Sequence, residues 1–202
     1  MIKASKRSLS LRRPVFGVGI NDADYIVEPR IGGVQQKCSF YTKWNGMLKR
    51  CYSEKFQMKH PTYRGCTVSS EWLYFTKFKS WMQQMDWEGM QLDKDILFEG
   101  NKLYSKETCA FVNASTNTLI NHKSGNPYDL GVCWHRKKKK FRADIKVRGK
   151  GIHIGYFDDH KDASNAWRAA KAERIINAAN GENDYRVREA LKLRAENLLR
   201  GG

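Results

Sequence analysis

An α+β fold of two modules is what this 202-residue chain predicts, and three observations carry it. Residues 141–148 alternate strictly, with Phe141, Ala143, Ile145 and Val147 on one side and Arg142, Asp144, Lys146 and Arg148 on the other, the period of a half-buried strand. From Asp158 onward the apolar spacing changes to three and four, the period of a helix. Upstream, two aromatic-rich stretches repeat the helical spacing, and the turn-forming segment Asn121–Asp129 separates them from the strand region.

In chain order, residues 1–37 mix Gly, Pro and Arg without a clear period and read as a basic arm, ordered in part until it docks. Trp44, Met47, Leu48 and Cys51 mark a first helix within a module over residues 38–120. A connection from Tyr52 to Val68 follows, containing His60-Pro61 and Arg64-Gly65. A second helix begins near Ser70, a candidate N-cap, and carries Trp72, Phe75, Phe78, Lys79 and Met82. These aromatic stripes read as core. Leu92–Leu97 then forms a short strand, Gly100-Asn101 a turn, and Ser105 with Glu107 and Thr108 a capped start to a helix that runs to Asn117, together a ββα unit.

Beyond the linker at 121–129, residues 130–179 form a three-stranded antiparallel sheet and a helix. Gly149-Lys150-Gly151 supplies the hairpin before Ile152–Phe157, and Ala163, Trp167 and Ala170 pack on the apolar side of the sheet. Asn180–Asn183 breaks the chain again. A final amphipathic helix over 183–200 follows through Val187, Leu191, Ala195 and Leu198.

Charge narrows the partners. The net charge of +16 favours polyanions, and nine Lys or Arg fall between positions 136 and 150. No apolar run approaches the roughly twenty residues of a membrane span, and neither a lipidation signal nor a secretory apolar stretch is present, so an intracellular protein is expected. The five cysteines (Cys38, Cys51, Cys66, Cys109, Cys133) include no Cys-x-x-Cys pair and read as reduced thiols rather than a zinc site.

Gly131-Val132, the basic and aromatic stretch after it, Phe141-Arg142-Ala143-Asp144-Ile145, the Gly-Lys turn, Ile154-Gly155-Tyr156-Phe157 and Ala166-Trp167-Arg168-Ala169-Ala170 resemble the AP-two or ethylene-response-factor DNA-binding domain. The resemblance implies a sheet lying in the major groove of double-stranded DNA with the helix behind it. It implies contacts from Trp134, Arg136, Lys138, Arg142, Lys146, Arg148 and His153.

The first module resembles the degenerate HNH nucleases of bacteriophages, including free-standing homing-type endonucleases, and fusion of such a nuclease to an AP-two domain is a known arrangement. Trp44, Met47-Leu48, Arg50-Cys51-Tyr52, Tyr63, Gly65, Val68, Trp72 and Phe75 carry the flanks of the match. The resemblance implies a degenerate ββα-metal module performing metal-assisted phosphodiester hydrolysis with Mg²⁺ or Mn²⁺. Asp93 falls on the first metal-ligand position and Asn117 on the last; Lys94 stands at the general base and Thr108 at its orienter. A lysine with its ordinary pKa of about 10.4 is a poor base at neutral pH. Asp95, His60 or His122 are the candidates to replace it, each with an ordinary alternative: Asp95 as an ion-pair partner, His60 in a loop, His122 in the linker.

Three expectations follow: a phage DNA endonuclease, a nuclease-derived protein that only binds DNA, and an interaction protein acting on a host or phage partner. The resemblance places each in the cytoplasm of a phage-infected bacterium, and a monomer suffices for all.

Overall fold

The computed structural model describes residues 2–120, 130–147 and 149–200, and the chain divides into two compact units, 1–111 and 112–202. In chain order the first holds α1 (Lys6–Ser10), β1 (Arg30–Ile31), β2 (Val34–Gln35), α2 (Ser39–Tyr52), α3 (Glu54–Lys59), β3 (Thr67–Val68), α4 (Phe75–Met82), β4 (Gln91–Asp93) and β5 (Leu103–Tyr104). Strand β6 (Ala110–Val112) runs across the division. The second holds α5 (Ala114–Ile120), β7 (Val132–His135), β8 (Lys140–Val147), β9 (Lys150–Phe157), α6 (His160–Asn180) and α7 (Tyr185–Arg200).

In the first unit α2 buries the four residues that its spacing singles out, Trp44, Met47, Leu48 and Cys51. They meet Trp72, Phe75, Phe78 and Met82 in one core. The indole of Trp44 donates to the Trp72 carbonyl at 2.7 Å, so the ring fills space without stranding its N–H.

Three expectations here need correction. Residues 2–37 are not a loose arm: Ala4, Ala23, Tyr25 and Val27 are buried, and the Arg12 guanidinium donates to the carbonyls of Asn21, Ala23 and Tyr25. Gly19 makes the close approach possible, because a Cβ there would stand 2.3 Å from Leu48 and 3.0 Å from Trp44. The connection 52–68 contains α3 and a 3-10 turn over Pro61–Tyr63. Ser70 opens only a 3-10 turn; α4 starts at Phe75 and is capped from outside, the Thr76 amide donating to Asp22 at 2.8 Å.

The stretch 91–112 also differs from a simple hairpin. β5 pairs in parallel with β3, and β4 pairs with β6. Ser105 closes a turn with Thr108 rather than starting a helix, since Thr108 Oγ1 donates to the Leu103 carbonyl at 2.7 Å. The helix begins nine residues later at Ala114 and falls in the second unit. There Lys171 donates to the Leu119 carbonyl at its end, and Thr116 donates to Glu182 at 2.8 Å.

The second unit follows its sequence more closely. The order β7-β8-β9 is antiparallel throughout, and Gly149 adopts φ +79° where the expected turn lies, although Lys150 and Gly151 belong to β9. Val132, Ala143 and Ile145 pack against Ala163 and Trp167 of α6. Val187, Leu191 and Ala195 of α7 are buried, and Leu198 joins the sheet–helix core. Among the described residues, no helix is long and apolar enough to cross a membrane.

Candidate nucleic-acid interface

Directly opposed residues of an antiparallel ladder share a face, so the register decides which side chains of the sheet stand together. Cys133 opposes Arg142, and Arg142 opposes Tyr156; His135 opposes Lys140, and Asp144 opposes His153. With Lys146, these residues occupy the face turned away from α6. The opposite set, Val132–Ala143, Trp134–Phe141 and Ile145–Ile152, lies on the helix side.

His153 and Tyr156 are three residues apart and in a regular strand would point to opposite faces. They share one because the register slips between Ala143 and Asp144: Ala143 pairs with Gly155, Asp144 with His153, and Ile154 is the extra residue. Ile154 packs toward the core, and the rings of His153 and Tyr156 come to 4.5 Å.

The outer face is thus an aromatic and cationic surface. Tyr156 lies at its centre, with the His135 ring at 5.2 Å and the Lys138 ammonium 3.9 Å from its centroid. The Lys138 amide in turn donates to His135 Nδ1 at 3.2 Å, fixing the hairpin tip. Arg142 Nε reaches Asp144 at 2.7 Å, and His153 Nδ1 lies 3.1 Å from the same carboxylate. Hydrogen bonding and charge from Asp144 push the Arg142 pKa up, holding the guanidinium charged. Arg136, Lys137 and Lys139 stand exposed at the tip and carry no ion pair among the described residues, whereas Lys140 pairs with Asp158 at 3.0 Å.

Of the expected contact residues, Arg142, Lys146 and His153 lie on this face, and Arg136 and Lys138 at its tip. Trp134 does not: its pairing with Phe141, at 4.9 Å between ring centroids, sets it on the helix side, half-exposed at the rim. Arg148 lies outside the described residues. Sequence reading passed over His135 and Tyr156, and it placed Asp144 on the charged face without a role. Tyr156 had no signal, because alternation counted from His153 assigns it to the other side.

The candidate hydrolytic residues show a different arrangement. Asp93, at the end of β4, accepts through Oδ1 from the amides of Asp95 at 2.8 Å and Ile96 at 2.7 Å, which shapes the turn after the strand. Lys94 is buried, with its ammonium 2.7 Å from both oxygens of Asp95 and donating to the Asn101 carbonyl at 2.5 Å. Asn101 answers by donating to the Lys94 carbonyl at 2.9 Å. Thr108 serves the neighbouring 103–108 turn, and Asn117 lies on α5 in the second unit. His60 stacks on Phe56 at 4.3 Å, and His122 lies outside the described residues.

Within the first unit, Asp93 and its neighbours offer a divalent ion few ligands. Of Asp93, one oxygen is committed to two amides, and the adjacent residue supplies an ammonium, not a lone pair. Among the described residues, no three His, Cys, Asp or Glu side chains form a group that could hold a metal. Burial also pushes the Cys51 and Cys109 thiols up to about 12, with the neighbouring thiol of Cys66 adding to the effect on Cys51, which keeps both protonated at neutral pH. No protein-family model matches the chain, and neither the curated proteins nor the solved structures contain a detectable match.

Proposed function

We propose that the protein binds double-stranded DNA through the outer face of β7-β8-β9. The observation that carries this reading is the segregation of the sheet: one side packs on α6, while the other gathers Arg142, Lys146, His135, His153 and Tyr156 beneath a tip bearing Arg136, Lys137, Lys138 and Lys139. An antiparallel ribbon is narrow enough to enter a major groove, where Arg and His meet base edges and Lys meets phosphate. The net charge of +16 supplies long-range attraction.

Within this reading the first unit grips or presents DNA rather than cutting it. Lys94 has its donors occupied by Asp95 and Asn101, so it is unsuited to accept a proton from water.

The test is titration of fluorescent duplex DNA at a series of salt concentrations, alongside incubation of wild type and Asp93→Ala with plasmid DNA in Mg²⁺, Mn²⁺ or EDTA. A surface neutralising several phosphates gives a loss of affinity of about 100-fold or more between 50 and 200 mM salt. Salt-independent binding would remove the proposal. Metal-dependent cutting by wild type that Asp93→Ala abolishes would restore the nuclease expectation.

A further inference from the structure

A carboxylate at the centre of a surface meant for a polyanion needs a reason. Asp144 stands on the middle strand of the sheet, on the face that carries the cations, and opposes DNA phosphate by like charge. Its ion pairs do not explain it as a stabilising device, because half-exposed pairs return little net stability. Geometry offers a better explanation: the one carboxylate reaches Arg142 Nε at 2.7 Å on its own strand and His153 Nδ1 at 3.1 Å on the next.

We infer that Asp144 is a positioning residue, which holds Arg142 and His153 as readers of guanine in duplex DNA. The inference rests on the DNA-binding reading above and specifies what that face recognises. With Nε held by Asp144, neither terminal nitrogen of Arg142 has a hydrogen-bond partner among the described residues. Those two N–H groups are the fork that matches guanine O6 and N7, and fixing the fork beforehand removes part of the ordering cost of binding. His153 is oriented from two sides, by the carboxylate at Nδ1 and by the Tyr156 ring at 4.5 Å, which leaves Nε2 for a base edge.

The rest of the surface supports a division of labour. Arg136, Lys137 and Lys139 at the tip are exposed and bear no ion pair among the described residues, as suits phosphate neutralisation, which needs charge rather than direction. The anchored pair sits across β8 and β9, where direction is enforced by two strands. A purely electrostatic surface would be improved by losing Asp144; a sequence-reading one would be damaged.

The experiment exploits that opposition of signs. Full-length wild type, Asp144→Ala and Asp144→Glu are used to select duplexes from a random-sequence pool. Affinities are then measured for the wild-type-selected duplex, for a random duplex, and for the selected duplex with 7-deazaguanine in place of guanine, which lacks N7. Wild type is expected to enrich a guanine-containing site and to lose about 10-fold in affinity with 7-deazaguanine, the usual scale of one bidentate contact. Asp144→Ala is expected to bind the random duplex as tightly as wild type or about 2-fold tighter, while its preference for the selected site falls about 10-fold. Asp144→Glu keeps the charge and restores part of the preference. Arg142→Lys should bind both duplexes and ignore the deaza substitution.

Unchanged selectivity in Asp144→Ala overturns the inference, as does equal loss on both duplexes, which is the pattern of a structural role. Indifference of wild type to 7-deazaguanine overturns the guanine assignment. If wild type binds no duplex at all, the parent proposal fails and takes this one with it; duplex binding without Asp144-dependent selectivity defeats this inference alone.

Discussion

The cations of the first unit and those of the sheet in the second have opposite employment. In the first unit Arg12 donates to three backbone carbonyls, Lys94 to Asp95 and Asn101, and Lys102 to the Thr62 carbonyl. Arg50 stacks on Tyr63 and Tyr104, with its guanidinium carbon 5.9 and 5.3 Å from the ring centroids. These charges replace caps and turns in a unit that has little regular sheet. On the second unit's outer face Arg142 and His153 pair with Asp144, and the tip residues Arg136, Lys137 and Lys139 carry no ion pair among the described residues. Residue type therefore says little about a cation's role; whether its donors are already engaged says a great deal.

The comparison breaks most visibly if the scaffold behind the sheet is removed. Trp167→Ala deletes a buried ring from the core of the second unit and should destabilise it by about 3–5 kcal/mol, with DNA binding lost as that unit unfolds. Chemical denaturation followed by near-ultraviolet circular dichroism would measure the shift, and a loss below about 1 kcal/mol would mean that α6 does not hold the sheet. Lys94→Met should cost about 2–3 kcal/mol in the first unit, because it removes a buried ammonium's ion pair to Asp95 and its hydrogen bond to the Asn101 carbonyl, yet leave DNA affinity within about 2-fold. A large loss of affinity at unchanged stability would place Lys94 among the outward-facing cations instead.

Lys146→Ala sharpens the opposite half. Stability should change by less than about 0.5 kcal/mol, while affinity falls several-fold and the salt slope drops by about one. Thermal melts and anisotropy titrations on one preparation separate the two effects.

Lys171 gives a pH signature intermediate between the two classes. Burial lowers its pKa from 10.5 to about 8, with Arg174 adding to the shift. Between those values the unfolded chain holds a proton that the folded chain has released, so the second unit should gain stability as pH rises from about 8 to about 10.5 and lose it as pH falls back. Lys171→Met should flatten that slope; an unchanged slope would assign it elsewhere. The smallest effect is a protection: Cys133 is exposed on the outer face opposite Arg142, whereas Cys51, Cys66 and Cys109 are buried. Iodoacetamide should label Cys133 ahead of those three, and duplex DNA should slow it. Labelling at an unchanged rate under saturating DNA would put the contact on another surface.

Much of the second unit was readable in advance because local signals agree there. Strict alternation in 141–147, Gly149, and the Ala163–Trp167 stripe all point to one sheet with one helix behind it. The helix carrying Trp44, Met47, Leu48 and Cys51 was legible for the same reason. What escaped depends on distant pairing. The cap of α4 comes from Asp22, and β5 chooses β3 over its neighbour β4. Lys171 and Glu182 tie α5 to the second unit through Leu119 and Thr116. At the interface the side on which Trp134 stands follows from its partner Phe141, and the alignment of Tyr156 with His153 follows from a slipped register. Neither is a property of local spacing.

The extra residue in β9 divides that strand into two halves whose orientations are set separately. Residues 155–157 are anchored by pairing with 141–143, and 150–153 by pairing with 144–147, with Ile154 taking up the difference. Pairing Ile154 into the ladder against Asp144 would turn 150–153 over, sending His153 inward and Ile152 outward while Tyr156 stayed in place, whereas deleting Ile154 would leave both halves on their present faces. Such a surface is open to rewriting by register as well as by substitution: loss of the bulge with Ile154 retained would exchange half of its chemistry and leave the Arg142–Tyr156 half standing.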